Sequence, residues 1–104
     1  MSDEVRVRRD AVEPGGTLRL DAGPNGVCLV RVDNDFYAVD DRCTHANVSL
    51  AEGDVDPEER TVECWKHGST FSLIDGKPQC LPATKAVPVY EVRVEGDEVV
   101  VSVK

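Results

Sequence analysis

Positive charge is scarce in this chain: twelve Lys and Arg stand against twenty Asp and Glu, a formal charge of −8 over 104 residues. A sequence-independent grip on nucleic acid or anionic lipid needs basic surface, so neither partner is expected. Long apolar runs are absent too, and none approaches the ~18 residues of a membrane span. The opening Met1-Ser2-Asp3-Glu4-Val5-Arg6 lacks the basic-then-apolar pattern of a signal peptide, which makes a cytoplasmic protein the expectation. Aromatics number only five (Phe36, Tyr37, Trp65, Phe71 and Tyr90), and histidines only two. At this length there is room for one domain with a modest core and none for a second catalytic module.

Valine is the residue present in excess, at eighteen positions. Its branched Cβ suits a pleated sheet better than a helix, and the composition leans all-β. Val5-Arg6-Val7-Arg8 and Thr17-Leu18-Arg19-Leu20 alternate with period two, as half-buried strands do. Gly23-Pro24-Asn25-Gly26 is a turn signal. Val27 to Val32, the Asp33-Asn34-Asp35 turn and Phe36 to Val39 continue a meander of antiparallel strands. Val87 to Val94 and Glu98 to Val103, turned at Glu95-Gly96-Asp97, form a closing hairpin. Between Asp40 and Pro82 the pattern breaks, leaving short strand-like pieces at Thr61–Cys64 and Thr70–Leu73. The acidic stretch from Asp54 to Arg60 reads as a solvated turn, and the whole segment as a loop-rich insertion on a β framework.

Both histidines and three of the four cysteines lie in that insertion. Cys43-Thr44-His45 and Cys64-Trp65-Lys66-His67 each place a histidine two or three residues after a cysteine, with 18 residues between His45 and Cys64. Thiolates and imidazoles are the ligands of zinc, copper and iron–sulfur clusters, so two loops could close on one metal site. A disulfide framework explains the cysteines less well without a secretory context. Structural zinc takes the same donor set, although the usual finger places its Cys pair before its His pair. A [2Fe–2S] cluster with two Cys on one iron and two His on the other also uses it. A four-cysteine cluster from Cys28, Cys43, Cys64 and Cys80 has a spacing unlike either common ferredoxin pattern.

The two boxes, read on through Gly68-Ser69, resemble the paired cluster-binding boxes of Rieske proteins. The likeness continues through Ser49-Leu50-Ala51-Glu52-Gly53, Phe71, Asp75-Gly76-Lys77-Pro78, Leu81-Pro82-Ala83-Thr84 and Val87 to Val92. Over essentially its whole length the chain resembles the stand-alone Rieske-type ferredoxins that feed non-haem iron oxygenases. The span between boxes is slightly longer than usual, with the excess placed at Pro57 to Arg60. The resemblance implies an all-β fold: a β-sandwich base with a small inserted cluster-binding subdomain at about residues 40–82 of a single domain, 1–104. It also implies that Cys43 and Cys64 hold an inner iron and that His45 and His67 hold an outer iron near the surface.

High-potential members carry a further cysteine in each box, joined as a disulfide, where this chain has Val48 and Lys66. They also carry a tyrosine where this chain has Phe71, while Ser69 keeps a hydroxyl. Fewer donors to the cluster sulfurs stabilise the reduced state less, and a low-potential member is expected. Cys28 reads as a buried core thiol, Cys80 as part of a loop closing over the cluster, and Trp65 as either core or docking surface.

The function these readings imply is one-electron transfer from a reductase to a terminal Rieske oxygenase by a monomer that is not itself an enzyme. With both histidines committed, none is left for a mononuclear two-His, one-carboxylate iron site. The alternatives are an accessory ferredoxin of iron–sulfur assembly, a redox sensor, and, in another class, a zinc-binding interaction module.

Overall fold

The computed structural model describes residues 4–23, 25–43, 48–66, 68–79 and 85–103. Alternating stretches and short valine-rich apolar runs form strands of four to seven residues: β1 (Glu4–Arg8), β2 (Thr17–Leu20), β3 (Val27–Val32), β4 (Asp35–Asp40), β8 (Val89–Glu95) and β9 (Glu98–Ser102). They join antiparallel in the order β1-β9-β8-β4-β3-β2. Between β4 and β8 the chain leaves this sheet and builds a second one from β5 (Val55–Asp56), β6 (Thr61–Glu63) and β7 (Thr70–Ser72). Single 3-10 turns at Arg9–Ala11 and Leu50–Glu52 are the helical elements among the described residues, and no helix there is long and apolar enough to cross a membrane. The fold is all-β, as expected.

The six-stranded sheet curls so that its two halves face each other as a sandwich. Val5 and Val7 of β1, Tyr90 and Val92 of β8, and Val99 and Val101 of β9 meet Leu18, Leu20, Val27, Leu29, Phe36 and Ala38 of the β2-β3-β4 half. Each large aliphatic side chain fully buried there contributes roughly 1.5–3 kcal/mol. Strand β3 is covered on both faces. Its odd-numbered Val27 and Leu29 enter this core, while Cys28, Val30 and Val32 point the other way. Those residues, with Val39 of β4, meet Cys43, Leu50, Val62, Cys64, Phe71, Leu73 and Val87 in a second core. The insertion is therefore seated on the back of β3 and β4.

Two details differ from the alternation read in the sequence. Tyr90 and Val92 face the sandwich core, but Val89 is exposed, because the inward parity begins anew at Tyr90 after Pro88. The acidic stretch from Asp54 to Arg60 includes the short strand β5, paired to β6 through Val55–Val62 and Asp56–Thr61. The turn after it is closed by Asp56 Oδ1, which accepts from the Glu58 and Glu59 N–H groups (3.0 and 3.2 Å).

Candidate metal centre

The two cysteine boxes head loops closed in the same way. The Cys43 N–H donates to Val48 O (3.1 Å), and the Cys64 N–H donates to Ser69 O (2.6 Å). Each cysteine thus opens a six-residue loop, 43–48 or 64–69, pinned shut at its base. In the second loop the Gly68 N–H also bonds back to Cys64 O (2.9 Å), with Gly68 at φ +75°. A side chain would be strained in that conformation, which glycine adopts freely. Beyond the second loop the chain returns beside β7, where the Gln79 N–H donates to Thr70 O and the Ser72 N–H to Lys77 O.

Both thiols lie inward. Cys43 is 2% exposed and Cys64 fully buried, neither is in a disulfide, and both belong to the apolar core that includes Leu50, Val62 and Phe71. The structure therefore places Cys43 and Cys64 in one apolar core. His45 and His67 fall between the closing pairs in sequence but lie outside the described residues, as does Cys80. Cys28 is a fully buried core thiol, as expected, on the β3 face beneath the same core. Burial, reinforced by the Asp41 carboxylate, pushes its pKa up and keeps it a neutral thiol. Among the described residues no three Cys, His, Asp or Glu side chains converge into a metal site, so Cys28 does not complete one with Cys43 and Cys64. Two buried soft donors, each at the head of a segment closed by a backbone bond and followed in sequence by a histidine, fit an iron–sulfur cluster with mixed thiolate and imidazole ligation.

The surroundings are largely apolar. Phe71 is fully buried on β7, opposite Val62 and bridged to Pro78, and brings no hydroxyl to this core. Val48 packs against the core and Lys66 is exposed. Trp65, next to Cys64, is 55% exposed, and Ile74 is 67% exposed; Trp65 belongs to the surface and not to the core. Sequence reasoning missed Asp41 and Ser49. Asp41 is a 2% exposed carboxylate two residues before Cys43. The Ser49 hydroxyl is a buried polar atom with no partner among the described residues. Both belong to the first cysteine segment, where only tertiary contacts distinguish them from ordinary loop residues.

The Rieske [2Fe-2S] domain family matches residues 4–91. This chain belongs to that family. As a Rieske domain it takes a Rieske-type [2Fe–2S] cluster, and the zinc alternative falls away. It is 43% identical over 88 residues to the 3-phenylpropionate/cinnamic acid dioxygenase ferredoxin subunit of Escherichia coli K12, covering 85% of this chain and 81% of that protein. Its structure is similar to the ferredoxin of carbazole 1,9a-dioxygenase from Nocardioides aromaticivorans IC177, with a TM-score of 0.94 and 33% identity over 99% of this chain and 100% of that one. It is also similar to a chain in a complex of reduced oxygenase and oxidized ferredoxin in carbazole 1,9a-dioxygenase, with a TM-score of 0.91 and 33% identity over 100% and 96% of the two chains. The two structural matches span nearly the whole of both chains, so the sandwich base and the insertion are shared together.

Proposed function

We propose that this Rieske protein is the ferredoxin of an oxygenase system, carrying one electron at a time from a reductase to a terminal Rieske non-haem iron oxygenase. The observation that carries the reading is the pair of matching loops, each presenting one buried thiol, in a chain whose relatives are dioxygenase ferredoxin subunits. Cys43, His45, Cys64 and His67 are the ligands in this reading: the thiols hold the inner iron and the imidazoles the outer one. When bound, the cluster supplies reversible one-electron chemistry. The chain's own residues fix its setting. Cys43 and Cys64 bring two thiolates, and neutral His45 and His67 spare two further negative charges, which eases uptake of an electron relative to four thiolates. The apolar lining from Leu50, Val62 and Phe71 excludes water on the inner side.

The exposed ring of Trp65, beside Cys64, is the contact offered to a partner. With a formal charge of −8, electron transfer to that partner slows as salt rises. A single domain over residues 1–104, with its cluster-binding part at about 40–82, acting as a cytoplasmic monomer, completes the reading.

Electron paramagnetic resonance of the reduced protein tests the ligands. The wild type is expected to give the rhombic signal of nitrogen-ligated [2Fe–2S] iron, His45→Ala and His67→Ala to lose or severely distort it, and Cys80→Ser to retain it. Loss of the cluster in Cys80→Ser with retention in His67→Ala would contradict the assignment.

A further inference from the structure

The first cysteine loop is tied to the sandwich base through one buried carboxylate. Asp41 is bonded on four sides. Its N–H donates to Gly26 O (3.0 Å) in the turn between β2 and β3, and its carbonyl accepts from the Leu50 N–H (2.6 Å). Its Oδ1 accepts from the Ala51 N–H (3.0 Å), and its Oδ2 accepts from Arg19 Nε of β2 (3.0 Å). The far side of the loop is tied to β2 as well, because Thr17 Oγ1 donates to Ala51 O (2.6 Å). The Arg19 guanidinium also lies 3.8 Å from the exposed Asp21 carboxylate, and Gly26, at φ +83°, passes so close beneath the guanidinium that a Cβ there would lie 2.9 Å from Nη2. The carboxylate is 3% exposed while the arginine is half exposed. Arg19 is thus the counter-charge of a carboxylate that water hardly reaches.

We propose that Arg19 and Asp41 form a strut that fixes the segment bearing Cys43 at Asp41 and at Leu50–Ala51 and sets the charge the cluster experiences. The inference rests on Cys43 being a ligand, as proposed above. Two roles follow from the geometry. Mechanically, Asp41 gathers both ends of the segment, 41 and 50–51, onto β2 and the Gly26 turn, so Cys43 is presented from a closed loop. Electrostatically, the pair is close to neutral as a unit. The Asp41 charge reaches the core below the loop, where it adds to burial in raising the Cys28 thiol pKa. Without Arg19, a bare negative charge two residues from Cys43 opposes the arrival of an electron. Without the Asp41 charge, Arg19 favours it. Arg19 and Asp41 are therefore positioning residues whose removal shifts the midpoint potential in opposite directions, a result that general loosening of the loop does not produce.

The test compares Arg19→Met, Arg19→Lys, Asp41→Asn and the double variant Arg19→Met/Asp41→Asn in the full-length, cluster-loaded protein. Protein-film voltammetry is expected to show a lowered midpoint for Arg19→Met, a raised one for Asp41→Asn, a value near wild type for the double variant, and restoration in Arg19→Lys. Hydrogen-exchange mass spectrometry is expected to show faster exchange in peptides covering 41–51 for both single variants, with peptides covering 98–102 unchanged. Midpoint shifts of the same sign in both single variants, or wild-type exchange over 41–51, would overturn the proposal. Should Asp41→Asn fail to take up the cluster, Arg19→Met against Arg19→Lys decides, and an unchanged midpoint in Arg19→Met overturns it. An all-thiolate spectrum in the wild type, with the exchange pattern as expected, would reject the ligand reading and leave the mechanical strut standing.

Discussion

Between the two halves of the six-stranded sheet, the core is filled from strands of four to seven residues whose inward side chains follow period two. Around Cys43 and Cys64 the strands are two or three residues long, and single backbone bonds do the positioning: Cys43 to Val48, Cys64 to Ser69, Leu73 to Arg60 and Val87 to Gly76. The first region can be stabilised by apolar burial alone. The second has only short strands, so its shape depends on close backbone approaches and on what it is seated upon. If Cys43 and Cys64 are ligands as proposed, the sandwich is expected to tolerate loss of the cluster, and the insertion to hold it only while seated on β3 and β4.

Core truncations should separate the regions most clearly. Leu29→Ala, in the sandwich, and Leu73→Ala, in the second core, each remove a fully buried side chain and should cost about 2–5 kcal/mol by denaturant unfolding. The cluster spectrum and iron retention should be unchanged in the loaded Leu29→Ala protein and impaired in Leu73→Ala. Equal impairment in both would mean that the regions are not energetically distinct.

Gly53→Ala acts within the insertion alone. A Cβ at Gly53 would overlap the Glu63 carbonyl oxygen where the chain passes β6. The backbones of the 3-10 turn and β6 must separate, at about 1–3 kcal/mol or more. Reduced iron content after reconstitution, with strand signal preserved by circular dichroism, is the expected result.

Phe71→Tyr changes tuning and leaves the framework alone. A hydroxyl reaching a ligand sulfur and strengthening by about 1 kcal/mol on reduction should raise the midpoint by roughly 40 mV. An unchanged potential would mean that the new hydroxyl does not reach the cluster.

The smallest effect is expected on the outer face of β1-β9-β8, where Arg93 bonds Glu4 and Glu95 and Arg6 bonds Glu95 and Glu98. The hydrogen bond from Arg93 lowers the pKa of both Glu4 and Glu95 from the ordinary 4.5. Carboxylates with depressed folded-state values contribute stability that is present above the unfolded pKa and lost as pH falls through the folded one. Arg93→Met should therefore reduce the acid-side fall in melting temperature below about pH 4.5 while changing the neutral-pH value little, since exposed pairs are weak. A large loss at neutral pH would contradict this.

The same contrast explains what could be read from the sequence. Apolar residues at alternate positions marked β1 and β2, and valine-rich runs bounded by turns marked β3 and the closing hairpin. The boxes at 43–45 and 64–67 stood out because rare residue types were paired. Strand β5 was hidden, since two residues cannot display a period and its existence depends on β6. The turn of inward parity at Tyr90 follows from docking onto β4 through Ala38–Tyr90 and Val39–Val89. Asp41 looked like one more charge in an acidic chain. Its partners Arg19, Gly26 and Ala51 are distant in sequence, and only the folded chain brings them together.

In the proposed arrangement two thiolates and two imidazoles hold the cluster with few donors to its sulfurs. The midpoint potential of the wild-type protein at pH 7, measured by protein-film voltammetry, tests it most directly. The expected value lies near the lower end of the Rieske range, about −150 mV. A value near −400 mV, as in plant-type four-cysteine ferredoxins, would contradict the nitrogen ligation, and a clearly positive value would contradict the donor-poor surroundings assigned to Phe71, Val48 and Lys66.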